Sequence, residues 1–381
     1  MDLTLLWNWR ESVGRLTITS YLLFIGSILF APPSIQATPR YAAVYGQSCI
    51  LCHENPTGGG LRNLYATQYI IPEELAARGW QEDDGSGVFS GQSPEISPNI
   101  SIGTDLRTLS YQQENGPEGT FAMQGDVYVN FRLSSTASAY VEQGLSGSGE
   151  IYGIMHSLPW EGYLKAGRFI PDYGWRFADH QMFNRRYLMN SNGSDNPAFL
   201  FDSGFEIGGS PGVFEYSASL LSGPESHGDN YAARVMLRQE WYGVRLGVGA
   251  SVWRRYDPRG HRRAVGGFWY LSTGPVTWLG EVDETKRPDG VDNAERLGNL
   301  VAQELTVRVA RGWDLRFTYG FQDPNRAEKE GARQNYGAGF SYMPRPFLAV
   351  QVMAQYWNLT QGTDVTQDSF HEGVFMVHFF Y

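Results

Sequence analysis

From about residue 100 to the end of the chain, apolar and polar positions alternate with period two. In Gly125–Leu133, Val127, Val129, Phe131 and Leu133 share one face, and Asp126, Tyr128, Asn130 and Arg132 share the other. The chain ends the same way: Phe375, Val377, Phe379 and Tyr381 fall on one side, with Met376 and His378 on the other. Similar runs start near residues 100, 136, 149, 162, 204, 213, 230, 243, 262, 275, 297, 313, 332 and 346. That pattern predicts about sixteen strands, an even number within the range of outer-membrane barrels.

The connections support the same architecture. Tight turns are expected at 134–135, 158–162, 209–212, 242–243, 272–275, 312 and 344–346. Longer polar loops are expected at 112–119, 170–203, 222–229, 254–261, 285–296, 323–331 and 358–368. Short and long connections alternate, except that 145–148 is short where a long loop is due. A transmembrane barrel has this asymmetry, with tight periplasmic turns and long external loops. If the first strand rises from the periplasm, both termini are periplasmic and the 170–203 loop is external. A soluble sandwich or propeller would also alternate, but with its apolar face turned inward, and no blade-length repeat is visible. The expected fold is therefore all-β: an antiparallel outer-membrane barrel over residues 99–381, wide enough for an aqueous lumen.

The first hundred residues differ. Arg10 and Arg15 precede a short, mostly apolar run, Leu16–Ala31, followed by Pro32, Pro33 and the small residue Ala37. This has the form of an export signal over residues 1–37. The alternative is an uncleaved anchor, but the run is shorter than the ~20 apolar residues of a spanning helix. Residues 38–98 form a second unit. Within it, Pro72–Arg78 predicts a short helix with proline near its start. Residues 79–98, rich in Gly, Ser, Asp and Pro, predict a linker.

Composition narrows the partners. The 381 residues carry a formal charge of −10, with 45 glycines, 14% aromatic and only 18% charged residues. No basic groove is apparent, which argues against nucleic acid and leaves outer-membrane lipid as the expected surroundings.

Both cysteines and the first histidine lie in Gly46-Gln47-Ser48-Cys49-Ile50-Leu51-Cys52-His53. Cys-x-x-Cys-His is the spacing of c-type haem attachment. Cys49 and Cys52 would carry the cofactor by thioether bonds, and His53 would be the proximal iron ligand. The alternative is an oxidised pair or a redox dithiol, which would sit near a βαβ pattern that is not present here. The Gly58-Gly59-Gly60 run permits close approach to a flat cofactor. Arg62 could pair with a haem propionate, or be a solvated turn residue.

Between His53 and Met123 there is no His, Met or Lys. The segment therefore cannot supply a common sixth ligand. Either the iron is five-coordinate, or it takes an unusual ligand such as Tyr, or the ligand comes from the rest of the chain, which would dock the segment onto the barrel. His378, on the predicted lumen face near the periplasmic rim, is the favoured distal ligand. Met376, Met343, Met155 and His156 are alternatives, whereas His180, His227 and His261 fall in predicted external loops. The chain enters the long loop through Gly167–Arg176, whose Arg, Asp and Tyr residues could form a pore constriction or an entry site for a metal ion. Asp172, Asp179 and His180 are oxygen and nitrogen donors suited to iron. The plainer reading is an ordered loop that narrows the pore.

The stretch Ala37-x-Pro39-x-Tyr41-Ala42 followed by Gly46-x-x-Cys49-x-x-Cys52-His53 resembles the start of the mature fused monohaem cytochrome–porins of iron-oxidising bacteria. That family tends to have Phe, Arg, Gln and Thr where this chain has Tyr41, Ala43, Val44 and Tyr45. The resemblance implies one haem c at the N-terminus, followed by an outer-membrane barrel of about this size. Because the apolar band of a barrel is ~25 Å tall, one haem cannot easily serve donors on both sides unless the N-terminal segment sits in the lumen as a plug. It also implies electron transfer from extracellular Fe(II), or another small redox donor, to a periplasmic cytochrome or copper protein. Two other functions fit the residues: a solute porin with a haem-bearing plug, and a conduit running outward to extracellular acceptors.

Overall fold

The computed structural model describes residues 39–79, 93–144, 149–176, 182–184, 201–222, 230–257, 260–288, 295–328, 331–361 and 366–381. The expected export signal, most of the linker, the 145–148 turn, Asp179, His180 and His227 lie outside them.

The described strands are β1 (Glu95–Ser97), β2 (Ile100–Gln113), β3 (Glu118–Arg132), β4 (Ala137–Gly144), β5 (Ile151–Leu158) and β6 (Gly162–Phe169). They continue as β7 (Asp202–Gly209), β8 (Phe214–Leu221), β9 (Asn230–Trp241), β10 (Val244–Asp257), β11 (Gly260–Thr273) and β12 (Val276–Pro288). The last are β13 (Glu295–Ala310), β14 (Trp313–Asp323), β15 (Arg333–Arg345), β16 (Leu348–Gln361) and β17 (Thr366–Phe380). From β2 to β17 each strand pairs antiparallel with the next, and β17 pairs back onto β2. The described residues therefore form a closed barrel of sixteen strands, as the alternation predicts. The short β1 pairs onto β2 at the periplasmic rim, where Arg132 holds Glu95 at 3.0 Å.

The two faces are sorted for a membrane. Val127, Phe131, Leu220, Val235, Val248 and Phe375 point outward and are exposed, while Tyr128, Asn130, Met376 and Asp105 point inward and are buried. A soluble sheet would do the reverse. Trp160 and Tyr242 sit exposed in tight turns, and Trp241 ends the strand beside one of them, as an interfacial aromatic girdle requires.

The structure corrects several boundaries. β3 starts seven residues before Gly125, because Arg107 pairs with Gln124 while Thr108 pairs with Ala122. Met123 is thus the extra residue of a bulge, and a bulge breaks period two. β17 likewise starts at Thr366. The described residues of the expected loops 254–261 and 285–296 are strand, since β10 and β11 extend to Asp257 and Gly260, and β12 and β13 to Pro288 and Glu295. Their tips rise above the apolar band, where both faces can be polar and the alternation disappears. The expected helix at Pro72–Arg78 is instead a π-helix, Ala66–Leu75, with Pro72 inside it. Asn63, in the turn before it, accepts from Ala66 N through Oδ1 at 2.9 Å.

Residues 39–79 occupy the periplasmic end of the lumen. Helix α1 (Pro39–Tyr45) packs against β10, β11 and β12 and ends at Gly46, whose φ of 63° reverses the chain. Gly46 and Ser48 lie against Arg238 and Ser210 of the barrel. At the far side Arg311 donates to Pro72 O at 2.9 Å, and Ala77 N donates to Met343 O at 2.8 Å. The segment is a plug, bound to the wall around its circumference.

Candidate functional site

The turn Cys49–Leu51 ends at Cys52, and Cys52 N and His53 N both donate to Cys49 O. The chain then folds back on itself. His53 bridges to Arg62, Glu54 N donates to Leu61 O, and Asn63 N donates to Cys52 O, each of these two bonds at 3.0 Å. Three successive left-handed glycines close this loop, with φ of 83°, 75° and 64° at Gly58, Gly59 and Gly60. A Cβ on Gly58 would press on Cys49 Sγ at 3.1 Å, and one on Gly60 would strike the Tyr140 hydroxyl.

Above this loop lies an internal cavity of about 500 Å³. Cys49, Cys52, His53, Arg62 and His378 all line it, so the five residues singled out in the sequence converge on one space. The plug is its floor. Its roof is the start of the long loop after β6: Ile170, Asp172, Gly174, Trp175 and Arg176. This loop was expected to be external, but its described residues fold into the lumen. Tyr173 donates to Asp283 at 2.7 Å, Trp175 N donates to Glu281 at 2.7 Å, and Phe183 stacks on Trp357. The constriction reading of this loop fits that placement. Asp172 accepts from Ser217 and lies 3.7 Å from Arg234. Among the described residues, no group of three or more His, Cys, Asp or Glu side chains could hold a bare metal ion.

The two cysteines are free thiols. Burial pushes both up to about 12, with Glu215 adding to the shift at Cys49 and Arg62 opposing it at Cys52. Burial, then Arg62 and Arg176, pushes His53 down to about 3 and keeps the imidazole neutral, the form that ligates iron. Its Nδ1 is buried with no hydrogen-bond partner, and so is one guanidinium nitrogen of Arg62. Polar atoms orphaned inside a cavity call for a further group. A haem fits this donor set: two adjacent thiols, a neutral imidazole, a buried arginine and apolar walls from Leu51, Ile71, Leu75 and Phe380.

Arg62 is not a solvated turn residue. It is 7% exposed, its guanidinium lies 4.2 Å from the centre of the Phe380 ring, and it approaches Asp105 at 3.9 Å. Asp105, on the lumen register of β2, also holds Arg107 at 2.9 Å and faces His378 Nε2 at 3.0 Å. Met376 and Met343 line the same cavity. Met155 points outward and His156 does not reach the cavity. His261 is exposed at the external rim against Tyr256. Asp105 and the bulged Met123 were missed in the sequence. Alternation marks Asp105 only as one lumen residue among many, and a bulge has no sequence marker of its own.

No protein-family model matches the sequence, and no curated protein matches it. Solved structures do. The outer-membrane protein OmpT of Vibrio cholerae aligns with TM-score 0.55 at 13% identity, over 74% of this chain and 97% of OmpT. The fold is that of the outer-membrane porins. An anion-selective porin from Comamonas acidovorans gives 0.55 at 10% identity, over 74% and 99%. OmpF of Salmonella typhi gives 0.53 at 9% identity, over 74% and 98%. At these identities the likeness is one of fold. With the outward apolar face, it makes the chain an outer-membrane barrel.

Proposed function

We propose that this porin-like barrel is an electron conduit. Cys49 and Cys52 carry one haem c, His53 is its proximal ligand, and electrons pass from extracellular Fe(II) to a periplasmic cytochrome or copper protein. The observation that carries this reading is that the whole attachment motif lines one cavity between plug and loop. The resemblance to the fused cytochrome–porins is part of the same proposal.

The bound haem supplies one-electron chemistry at its iron. The chain's own residues do the rest. Arg62, fixed by Phe380 and Asp105, stands ready for a propionate. The plug and the 170–176 loop exclude bulk water from two sides, and the barrel wall insulates the cavity from lipid. His378 remains the favoured distal ligand. Binding iron through one ring nitrogen would leave the other on Asp105, the histidine–carboxylate arrangement common at metal sites.

The porin fold favours a second reading, a solute channel in which the segment serves only as a plug. A redox titration of the purified protein in detergent, with stopped-flow addition of Fe(II), separates the two. Rapid haem reduction supports the conduit. A protein without covalent haem, or with a haem that ignores Fe(II) while the barrel conducts solutes, overturns it.

A further inference from the structure

Each of the three glycines that close the plug loop makes room for a different neighbour. Gly58 clears Cys49 and Gly60 clears Tyr140, whereas a Cβ on Gly59 would lie 2.9–3.1 Å from Nε, Cζ and Nη2 of Arg176. Arg176 belongs to the roof. Its guanidinium therefore reaches from the roof to the glycine turn of the plug.

The contacts that hold Arg176 leave part of it unused. Nη2 donates to Glu150 Oε2 at 3.3 Å. Glu150 is completely buried and joins roof and plug, since Oε1 accepts from Ile170 N at 2.7 Å and Oε2 from Asn55 Nδ2 at 3.4 Å. The arginine thus meets this carboxylate at one point, although a guanidinium is shaped for two parallel bonds. Glu142, the other acid that acts on Arg176 through space, makes no hydrogen bond to it. Nη1 is buried with no partner.

Arg62 is in the same condition on the floor. Its Nη2 is 3.9 Å from Asp105, and its Nη1 is buried with no partner. These two arginines are also the cations that act most on His53, so both stand near the proximal imidazole. Arg234, on the same cavity, differs: its nitrogens go to Gly174 O, Glu215 and Met236 Sδ. Arg40 has unpartnered nitrogens too, but it faces Glu304 at 3.1 Å in a separate charge group around Tyr41.

A haem carries two propionates on one edge of a flat ring, and the cavity offers two orphaned guanidinium nitrogens beside the proximal histidine. We infer that Arg176 is the second propionate-binding residue, acting from the roof as Arg62 acts from the floor. The cofactor's own carboxylate then ties the 170–176 loop down, and the haem latches the roof over its cavity. This inference rests on the haem of the proposed function, and on neither the donor nor the direction of electron transfer.

Hydrogen exchange of residues 170–176, read by mass spectrometry on the full-length protein in detergent, tests it. Ile170 N, Gly174 N and Trp175 N are each bonded to a side chain of the wall, so their exchange reports opening of the roof. The quantity read is the protection that haem adds, holo over haem-free. The haem-free form is Cys49→Ser/Cys52→Ser, and the wild-type chain made without haem attachment serves as a second one. Heat-modifiable gel mobility confirms that each barrel is folded.

Haem should slow exchange of the loop at least tenfold in the wild type and less than twofold in R176Q. R234Q removes the bond to Gly174 O and should loosen the loop by the same factor with and without haem, which keeps the tenfold ratio. A wild-type ratio near one, an undiminished ratio in R176Q, or equal loss of the ratio in R234Q overturns the inference. Wild-type protein that carries no covalent haem, seen by haem stain, overturns the attachment reading and this inference together. A haem that protects the loop through Arg176 yet ignores Fe(II) supports the inference and counts against the conduit alone.

Discussion

The hydroxyl of Tyr140, on β4, accepts a hydrogen bond from the backbone N–H of Leu61 at 3.1 Å. The contact joins the middle of the barrel wall to the plug loop, and both partners are buried. It also explains Gly60: a Cβ there would lie 2.0 Å from the same hydroxyl, and the residue has a φ of 64°.

Tyr140→Phe should therefore weaken plug docking by about 0.5–1.5 kcal/mol, the worth of one buried hydrogen bond. Gly60→Ala should cost more, because it adds a steric clash to a left-handed backbone. Limited proteolysis of residues 39–79 in the folded barrel measures both. Faster cleavage in the order wild type, Tyr140→Phe, Gly60→Ala is expected, with unchanged barrel mobility on gels.

Cys49→Ser combined with Cys52→Ser should abolish covalent haem, read as loss of haem-peroxidase stain on a denaturing gel. His53→Ala should retain attached haem with an altered spectrum. Met376→Ala and His378→Ala separate the distal ligands, since only the true ligand changes the reduced spectrum when removed.

Lys165 and Glu206 form an ion pair at 2.6 Å with both side chains fully buried. Lys165→Ala leaves the carboxylate uncompensated and should destabilise the barrel by about 3–5 kcal/mol. Replacing the pair together, Lys165→Met with Glu206→Gln, should cost much less. Denaturant titration in micelles gives the comparison.

Val235 lies midway along β9 and is 45% exposed on the outward face. Val235→Arg should cost about 2–4 kcal/mol, the penalty for a cation at the bilayer midplane. Folding into vesicles, monitored by gel mobility against denaturant, tests it.

The thiol shifts set a pH dependence for haem-free protein. An exposed thiol ionises near the ordinary value of 9.0, whereas those in the fold ionise near 12. The folded plug holds protons that the undocked chain has released, so docking is unaffected below pH 9 and weakens progressively from 9 to 12. Alkylation by iodoacetamide should be slow at pH 8 and accelerate across that window.

The wall and the attachment motif were legible in the sequence, while the roof, the bulge and the strand tips were not. Period two survives only where one face meets lipid and the other water. It marked Val127 to Leu133 clearly but failed at Met123, where one inserted residue shifts the phase. It failed again at 254–257 and 260–263, where β10 and β11 continue above the membrane with polar residues on both faces. The motif was legible because its chemistry is local, with two thiols and an imidazole within five positions. The cavity over it was not, because its roof begins more than a hundred residues away at Ile170 and its wall at Asp105 and His378 comes from the first and last strands of the barrel, far apart in the chain.

Those two wall residues also mark the joint where the barrel closes. β2 and β17 are neighbours in the wall and are the first and last strands of the closed sheet, so no turn holds them together. Arg62 of the plug reaches both, Asp105 on one and Phe380 on the other. The plug is thus a clasp as well as a stopper. Pulling it out would loosen the seam between the chain's two ends, and the barrel's resistance to lateral opening is set in part by a segment that never touches the bilayer.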